Sequence, residues 1–203
     1  MNPVSLALLL ALGFLGGPSR GGQQPTGDDA ATATEKRLSD AEVDRRARAY
    51  LGAIDRPVSA ARWRALGPRA VSSLEAVVRD PRSLPSRRVR ALDALSILGG
   101  ARAQAITLEL AGAEDQPFGV RAHAMRGAAR LVPAASLASH LGPVMRGAGD
   151  AAVRAAAAEV LAQSTPGSSC AAVRAQEASE APEHRPHFQP ALQACAAAGN
   201  PNP

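Results

Sequence analysis

Apolar residues recur along the middle of this chain in columns with a constant spacing. Within each segment they follow the pattern i, i+4, i+7 and i+11, which a turn of about 100° per residue brings onto one face of a helix. Two columns show a period of 33 directly: Ala91, Ala124 and Ala157, and then Leu95, Ala128 and Leu161. The preceding helices repeat the same step, with Val78, Ala111 and Val144 in one column and Leu108 and Leu141 in another. The pattern therefore predicts a helical repeat.

Glycine and proline residues divide the repeat into pairs of helices. Gly99 and Gly100 favour a helix end, and Pro117 suits a first helical turn. The predicted hairpins pair residues 68–79 with 86–98, 101–113 with 117–132, and 133–146 with 150–163. Because one hairpin cannot bury its own apolar face, neighbouring hairpins must stack. The expected fold is all-α, an α-solenoid of about three to four antiparallel helical hairpins with its repeats over residues 67–165.

Two further helices are predicted before the repeats, over residues 39–66, as an N-terminal cap on the stack. Ser39 is a suitable N-cap, and Glu42 stands three residues later in the spacing of a capping box. The first helix is expected to end near residue 54, with an apolar face formed by Val43, Ala47, Tyr50, Leu51 and Ile54. Trp63, on the second helix, suits either of two roles, a plug in the core or a platform on which a ligand stacks.

The first segment of the chain carries an uncharged apolar run from Val4 to Leu15. This run has the length of the apolar region of a signal peptide, and it is shorter than the roughly 20 residues of a membrane-spanning helix. We expect residues 1–24 to act as a signal peptide and residues 25–38 to form a disordered linker. The alternative is a buried N-terminal helix. On the first interpretation the protein is exported, to the periplasm or outside the cell, with no stable membrane span after cleavage.

Two stretches of the repeat carry a family resemblance, "DQPFGVRAHAMRGAARLVP" and "GDAAVRAAAAEVLAQ". In both, a polar turn precedes the pattern V-R-x-x-A, and an apolar residue follows one helical turn later. Over residues 66–165 the chain resembles the HEAT-repeat family, including the HEAT-like repeats of bilin-lyase-type proteins. The resemblance implies a stack of helical hairpins that serves mostly as a protein-binding scaffold. The first unit departs from the pattern, because Arg87 stands where the family has an apolar residue.

The resemblance also implies a role for the arginine that opens each second helix. In the family an Asp in the turn pairs with this arginine and links neighbouring units, and here Asp115 and Arg121 keep that spacing. The arginines of this column are predicted to lie beside the apolar stripe, where a guanidinium packs its stem and still reaches an acceptor. They are Arg88, Arg121 and Arg154. A structural ladder and a ligand-binding row are the two interpretations.

The composition favours a helical core and leaves the chemistry of the partner open. Aromatic residues make up 2% of the chain and hydrophobic residues 46%, so the core is built from Ala, Leu and Val. Such residues favour packed helices over a β-sandwich. The formal net charge is +5, and Lys36 is the only lysine among the arginines. This balance suits an anionic partner, and it also arises in proteins encoded by GC-rich DNA.

The exposed face of the second helices is the predicted partner-binding surface. Asp93, Arg126 and Glu159 are the positions most opposed to the core, and their charges alternate in sign. Arg130 and His123 accompany them on the middle unit. A groove for nucleic acid needs a run of basic residues interleaved with aromatic ones, which this face lacks. We expect a non-catalytic scaffold with a protein partner in the cell envelope. The alternative is a HEAT module that binds nucleic acid or acts as a lyase or a glycosylase.

The period fails after residue 165, where a distorted hairpin is predicted over residues 166–198, followed by a tail at 199–203. Cys170 begins the first helix of this hairpin and Cys195 closes the second, so the two cysteines lie at neighbouring ends. A disulfide is expected between them in an exported chain. The competing interpretation is a zinc site formed by Cys170, His184, His187 and Cys195.

The histidines of the predicted helices belong to no catalytic motif. No G-x-S-x-G, H-E-x-x-H or glycine-rich phosphate loop accompanies His123 or His140. His123 and His140 stand singly on predicted helices. We therefore expect a protein without enzymatic activity, cofactor or metal ion.

Overall fold

The computed structural model describes residues 38–53 and 57–199. These residues fold into ten α-helices and one short 3₁₀ turn, and they contain no β-strand. The expected all-α class is therefore confirmed for the described part of the chain. The predicted signal peptide, residues 25–37 of the predicted linker, Ile54 and residues 200–203 of the predicted tail lie outside the described residues.

The helices follow one another with short connections. In chain order they are α1 (Asp40–Gly52), α2 (Ala60–Leu66), α3 (Ala70–Arg79), α4 (Pro85–Leu98), α5 (Gly100–Gly112), α6 (Phe118–Leu131), α7 (Ala134–Gly147), α8 (Ala151–Ser164), α9 (Pro166–Ser179) and α10 (Gln189–Gly199). The six repeat helices, α3 to α8, begin and end within two residues of their predicted positions. Within the described ranges, no helix combines the length and the apolar character that crossing a membrane requires.

Consecutive repeat helices pack in pairs. α3 contacts α4, α5 contacts α6, α7 contacts α8, and α9 contacts α10. The second helices also contact one another in series, from α4 through α6 and α8 to α10. The first helices do the same, from α3 through α5 and α7 to α9. Each of these helices therefore packs against its hairpin partner and against the equivalent helix of the next hairpin.

Small side chains fill the core where the second helices meet. The predicted columns are buried, with exposed fractions of 0% for Ala91, Ala124, Ala157, Leu95 and Ala128 and 2% for Leu161. In the column of the first helices, Val78 and Ala111 are buried but Val144 is only half-buried. The periodic columns of the sequence are therefore confirmed as core positions on the second helices. On the first helices, not every position of the column is buried.

The closest helix approach identified at a glycine occurs at Gly127 on α6. A Cβ atom at this position would lie 2.7 Å from Ser96 Oγ on α4 and 3.2 Å from Thr107 Cγ2 on α5. Both distances are shorter than ordinary van der Waals contacts. A side chain here would therefore require the Ser96 hydroxyl and Thr107 to shift, or α6 to move away from α4 and α5.

The helix connections confirm two of the capping predictions. Gly99 and Gly100 have φ angles of 70° and 87°, which favour glycine, and they lead from α4 directly into α5. Ser39 Oγ accepts a hydrogen bond from the Glu42 backbone N–H (3.2 Å), as an N-cap residue does.

At the start of α1, the side chain of Glu42 binds arginines of its own helix. The Glu42 carboxylate forms ion pairs with Arg45 and Arg46 on its own helix. It is therefore turned toward these arginines, and the hydrogen bond found between Ser39 and Glu42 is the one from the Glu42 backbone to the Ser39 side chain.

A disulfide joins the two helices of the last hairpin. The sulfur atoms of Cys170 on α9 and Cys195 on α10 are 2.05 Å apart. This confirms the predicted pairing and excludes the competing zinc site, which needs both thiolates. The sequence pattern predicts that the second helix of this hairpin runs from about residue 186 to 197, and this start is wrong. Pro186 belongs to a 3₁₀ turn (Arg185–Phe188), and α10 begins at Gln189.

Candidate functional site

The five residues predicted to bind a partner lie on three helices that contact one another in series. Asp93 is on α4 and Glu159 on α8, and the intervening helix α6 carries the other three, His123, Arg126 and Arg130. Arg126 and Arg130 are exposed, and the remaining three are half-buried. The predicted surface therefore spans neighbouring helices of three successive hairpins.

One ion pair of this surface crosses from α4 to α6. Arg130 Nη1 lies 3.7 Å from Asp93 Oδ1, and the two side chains are 58% and 48% exposed. A pair with this distance and exposure contributes little to stability. Either group can therefore exchange this contact for one with a partner at small cost.

His123 and Arg126 form a second contact within α6. His123 Nδ1 donates a hydrogen bond to Gly119 O (2.9 Å), which leaves Nε2 as the ring nitrogen that can accept. Arg126 Nη2 lies 3.1 Å from Nδ1 and 3.5 Å from Nε2. The guanidinium therefore rests against the imidazole ring with one long hydrogen bond to Nε2.

Glu159 is separate from both pairs. Its Oε1 accepts a hydrogen bond from Gln163 Nε2, one turn later on α8 (3.1 Å). In the described part of the chain its carboxylate binds no residue of α4 or α6. The structure thus joins Asp93 with Arg130 and His123 with Arg126, and it leaves Glu159 bound only within its own helix.

A cavity of about 270 Å³ lies beside Asp93. Tyr50 and Trp63 line it, with their rings meeting edge to face at a centroid distance of 5.2 Å. The rest of its described lining consists of Ala53, Pro57, Val58, Arg90, Ala94 and Ile97. Trp63 is 5% exposed, so it is part of the core and also a wall of the cavity. Sequence reasoning missed this cavity, although the chain's one tryptophan and one tyrosine both fall on its N-terminal helices.

The arginine column makes hydrogen bonds that follow the period of the sequence. Arg88 and Arg121 are buried, with exposed fractions of 5% and 4%. Arg88 Nε donates to Val78 O (2.7 Å), and Arg121 Nε donates to Ala111 O (3.3 Å). Arg121 follows Arg88 by 33 residues, and Ala111 follows Val78 by the same 33 residues. The repeat therefore extends from the apolar columns to specific polar contacts.

Two arginines of the column also reach the turn of the next hairpin. Arg88 Nη2 donates to Gln116 Oε1. Arg154 binds both carboxylate oxygens of Glu180, and its Nη1 donates to Ala148 O (2.6 Å). These contacts support the interpretation as a structural ladder, with Gln116 and Glu180 in place of the aspartates that the resemblance implies.

The Asp115–Arg121 pair implied by the resemblance does not form. Asp115 Oδ2 accepts a hydrogen bond from Gln116 Nε2 (2.9 Å), whereas Arg121 Nε is directed to Ala111 O. Gly149 stands one period after Gln116, where the next hairpin would supply an acceptor, and it has no side chain. Within the described residues, Arg121 therefore has a backbone partner and no side-chain partner.

The carboxyl of Glu180 is strongly perturbed by its surroundings. Hydrogen bonds from Arg154, and secondarily from Gln176 (2.8 Å), lower its pKa to about 2 against the opposing effect of burial. The same contact raises the pKa of Arg154. The side chain of Glu180 is 3% exposed and that of Arg154 is 15% exposed, so the pair is largely buried, and the low pKa of Glu180 keeps it charged over the physiological pH range.

Metal-binding side chains are dispersed across the described ranges. No three His, Cys, Asp or Glu residues there are grouped so as to hold a metal ion. The rings of His184 and His187 stack on each other with centroids 6.2 Å apart. The candidate site therefore consists of a surface with charges of both signs beside an aromatic-lined cavity.

No protein-family model, curated protein or solved structure matches this chain.

Proposed function

We propose that this protein is a non-catalytic scaffold, a HEAT-like α-solenoid that binds another protein in the cell envelope. The observation that carries the proposal is the serial contact of α4, α6 and α8, which presents exposed charges of both signs on adjacent helices. Stacked hairpins offer extended surfaces of this kind to partners.

The solenoid part of the proposal is supported by the repeat of contacts. Helices of equivalent position contact in series, the second-helix columns are buried, and the arginine hydrogen bonds recur with the period of the sequence. An N-terminal cap is supported by α1, which contacts α3 and α4, and by α2, which contacts α4. The buried residues of these two helices are Val43, Ala47, Leu51, Trp63 and Leu66. The HEAT-like assignment follows from the motif resemblance together with this arrangement.

A protein partner suits the surface better than nucleic acid does. The charges of Asp93, Arg126 and Glu159 alternate, so a chain of phosphates would meet carboxylates as well as guanidiniums. The cavity beside Asp93 offers an apolar recess with aromatic walls, and protein interfaces concentrate binding energy where a side chain fills such a recess. The surface therefore combines an anchoring site with a polar rim.

Affinity capture from a cell-envelope extract tests this proposal. We expect the wild-type chain to retain a specific protein that is lost with the double variant Arg126→Glu plus Arg130→Glu. The matched control is Arg146→Glu plus Arg174→Glu, since both arginines are exposed on first helices, α7 and α9. Identical captures by all three proteins would contradict the proposed surface. Salt-sensitive retention of DNA or RNA would favour the alternative nucleic-acid function.

Export is a separate part of the proposal. It is supported by the apolar run from Val4 to Leu15 and by the disulfide, a bond typical of oxidising compartments. Expression in a Gram-negative host should give periplasmic protein with a new N-terminus between Gly16 and Gln24. Cytosolic protein that retains Met1 would contradict it.

A further inference from the structure

Two histidines lie next to each other on the 3₁₀ turn between α9 and α10. The turn covers Arg185–Phe188 with His184 as its N-cap, and side chains at positions i and i+3 of a 3₁₀ helix are eclipsed. The rings of His184 and His187 are accordingly stacked, with centroids 6.2 Å apart and planes inclined by 29°. The backbone therefore directs both imidazoles to the same side of the turn.

The backbone that carries this histidine pair is firmly anchored. His184 N donates a hydrogen bond to Ala181 O (2.8 Å), and His187 N donates one to His184 O (3.1 Å). Phe188, the next residue, is 0% exposed, and the turn contacts α8, α9 and α10. A disulfide joins the two helices that flank the turn. The two imidazoles are therefore held close together before any ligand binds.

The ring nitrogens of this pair are not engaged by the fold. In His123 and in His140, Nδ1 lies 2.9 Å and 2.7 Å from the backbone carbonyl oxygen four residues earlier. By contrast, the rings of His184 and His187 contact each other and form no hydrogen bond within the described part of the chain. His184 is half-buried and His187 is exposed. A ligand from solvent can therefore reach ring nitrogens that have no competing partner there.

The cationic side chain between the two histidines is bound elsewhere. Arg185 Nε donates to Glu180 O, and its Nη2 donates to Ala178 O (3.1 Å each). The guanidinium is therefore held by carbonyl groups at the end of α9 and binds neither imidazole.

The spacing of the two rings suits a shared metal ion. Imidazole is the commonest protein ligand of metal ions, and its nitrogen lies about 2.0–2.1 Å from the metal. The ion is then about 3 Å from each ring centroid, so two rings can share it at centroid separations of up to about 6 Å. The observed 6.2 Å is at this limit, and a small rotation of the exposed His187 side chain brings the rings closer.

We propose that His184 and His187 form a two-histidine chelate for a divalent transition-metal ion, with Cu²⁺ bound most tightly. Nitrogen ligands bind Cu²⁺ more tightly than Ni²⁺ or Zn²⁺, and the square arrangement that Cu²⁺ prefers accepts two imidazoles with water in the remaining positions. The chelate differs from the four-ligand zinc site that the disulfide excludes. It shares no residue with the partner surface on α4, α6 and α8, so either proposal can fail without the other.

Calorimetric titration of the full, disulfide-bonded chain with Cu²⁺ tests the site. The wild type should bind one ion with a Kd of about 10 µM. His184→Ala and His187→Ala should each weaken binding about 100-fold, because the second ligand no longer binds intramolecularly. The matched control is His140→Ala, an exposed histidine of α7, which should bind as the wild type does. Equal affinities of His184→Ala and His140→Ala would overturn the proposal.

Electron paramagnetic resonance of the copper-loaded wild type gives a readout that does not depend on the folding of any variant. The spectrum should show two nitrogen donors from imidazole. A single nitrogen donor, or a spectrum that His184→Ala leaves unchanged, would overturn the chelate. Zn²⁺ should displace the copper only in large excess, and displacement by an equimolar amount would overturn the assignment of Cu²⁺ as the preferred ion.

Discussion

An arginine–glutamate ion pair joins neighbouring hairpins at both the first and the last junction, and it is exposed at the first and largely buried at the last. Where α3–α4 meets α5–α6, Arg79 on α3 binds Glu109 on α5 (2.5 Å), and the two side chains are 39% and 55% exposed. Where α7–α8 meets α9–α10, Arg154 binds Glu180, whose side chain is 3% exposed. Surface pairs contribute little to stability, whereas removing one member of a buried pair leaves an uncompensated charge. The last junction therefore depends far more on its ion pair.

The apolar residues buried near the two junctions differ in kind. α4 buries four apolar side chains of the repeat columns and their neighbours, Ala91, Leu92, Ala94 and Leu95. In the last hairpin, α9 buries Val173, α10 buries Ala191, and Phe188 in the turn between them is the largest fully buried side chain among the described residues. The disulfide and the ion pair thus stand where the repeat pattern ends.

The largest expected effect comes from Glu180→Ala. It leaves the Arg154 guanidinium without its counter-charge, and loss of one partner of a buried pair costs about 3–5 kcal/mol. Urea unfolding of the variant and the wild type measures the difference. The matched control is Glu109→Ala at the first junction, and equal losses from the two variants would contradict the comparison.

Removing the disulfide should cost about 3 kcal/mol, because the reduced chain regains the entropy of a 25-residue loop. The variant is Cys170→Ala plus Cys195→Ala, and amide hydrogen exchange should show α9 and α10 opening before α4 to α6. A reductant should destabilise the wild type and leave the double variant unchanged. Uniform loss of protection along the chain would show that the last hairpin is not a separate weak point.

Acid should destabilise the last junction over a defined range. The pKa of Glu180 is about 2 in the folded chain and 4.5 for the free carboxyl. A carboxyl whose pKa is lowered by folding stabilises the folded state above its unfolded pKa. This contribution is therefore nearly complete above pH 4.5 and is lost as the pH falls through 2, with a magnitude of about 3 kcal/mol. The free energy of unfolding of Glu180→Gln should therefore depend less on pH across this range than that of the wild type. An unchanged pH dependence in that variant would exclude Glu180 as its source.

Neutralising a glutamate at the first junction should lower the stability of the protein only slightly. Arg79 and Arg102 lower the pKa values of the Glu75 and Glu109 carboxyls, but Arg79, Arg102 and Glu109 are 39%, 64% and 55% exposed. Glu109→Gln should therefore cost about 0.5 kcal/mol at low salt and almost nothing at high salt. A salt-independent loss above about 2 kcal/mol would mean that this network behaves as a buried one.

The sequence predicted the helices best where the columns are strict. In α3 to α8, apolar periodicity and turn residues placed every boundary within two residues. Prediction failed at the last hairpin, where Pro186 and Phe188 form a 3₁₀ turn with no periodic signal. The implied pair of Asp115 with Arg121 also does not form, because the partner of a surface carboxylate depends on side-chain positions that spacing along the chain does not determine.

The candidate site was less predictable than the fold. Helical geometry placed Asp93, Arg126 and Glu159 on adjacent helices, but it gave no reason for Arg130 to pair with Asp93. The cavity beside Asp93 depends on how α1 and α2 pack against the first hairpin, which is a tertiary property. Glu180 went unnoticed because it lies outside the repeat, 26 residues after Arg154.

The central claim is that the hairpins are repeating modules of a stack, and duplication of one module tests it most directly. A second copy of residues 100–132 inserted after Val132 adds one α5 and one α6. If each module contacts only its neighbours, the longer chain should unfold cooperatively, with a helical circular dichroism signal larger by the 13 residues of α5 and the 14 of α6. The control duplicates residues 105–132, which breaks the period and truncates α5. Loss of cooperative unfolding in the full duplication, or identical behaviour of the two insertions, would contradict the account.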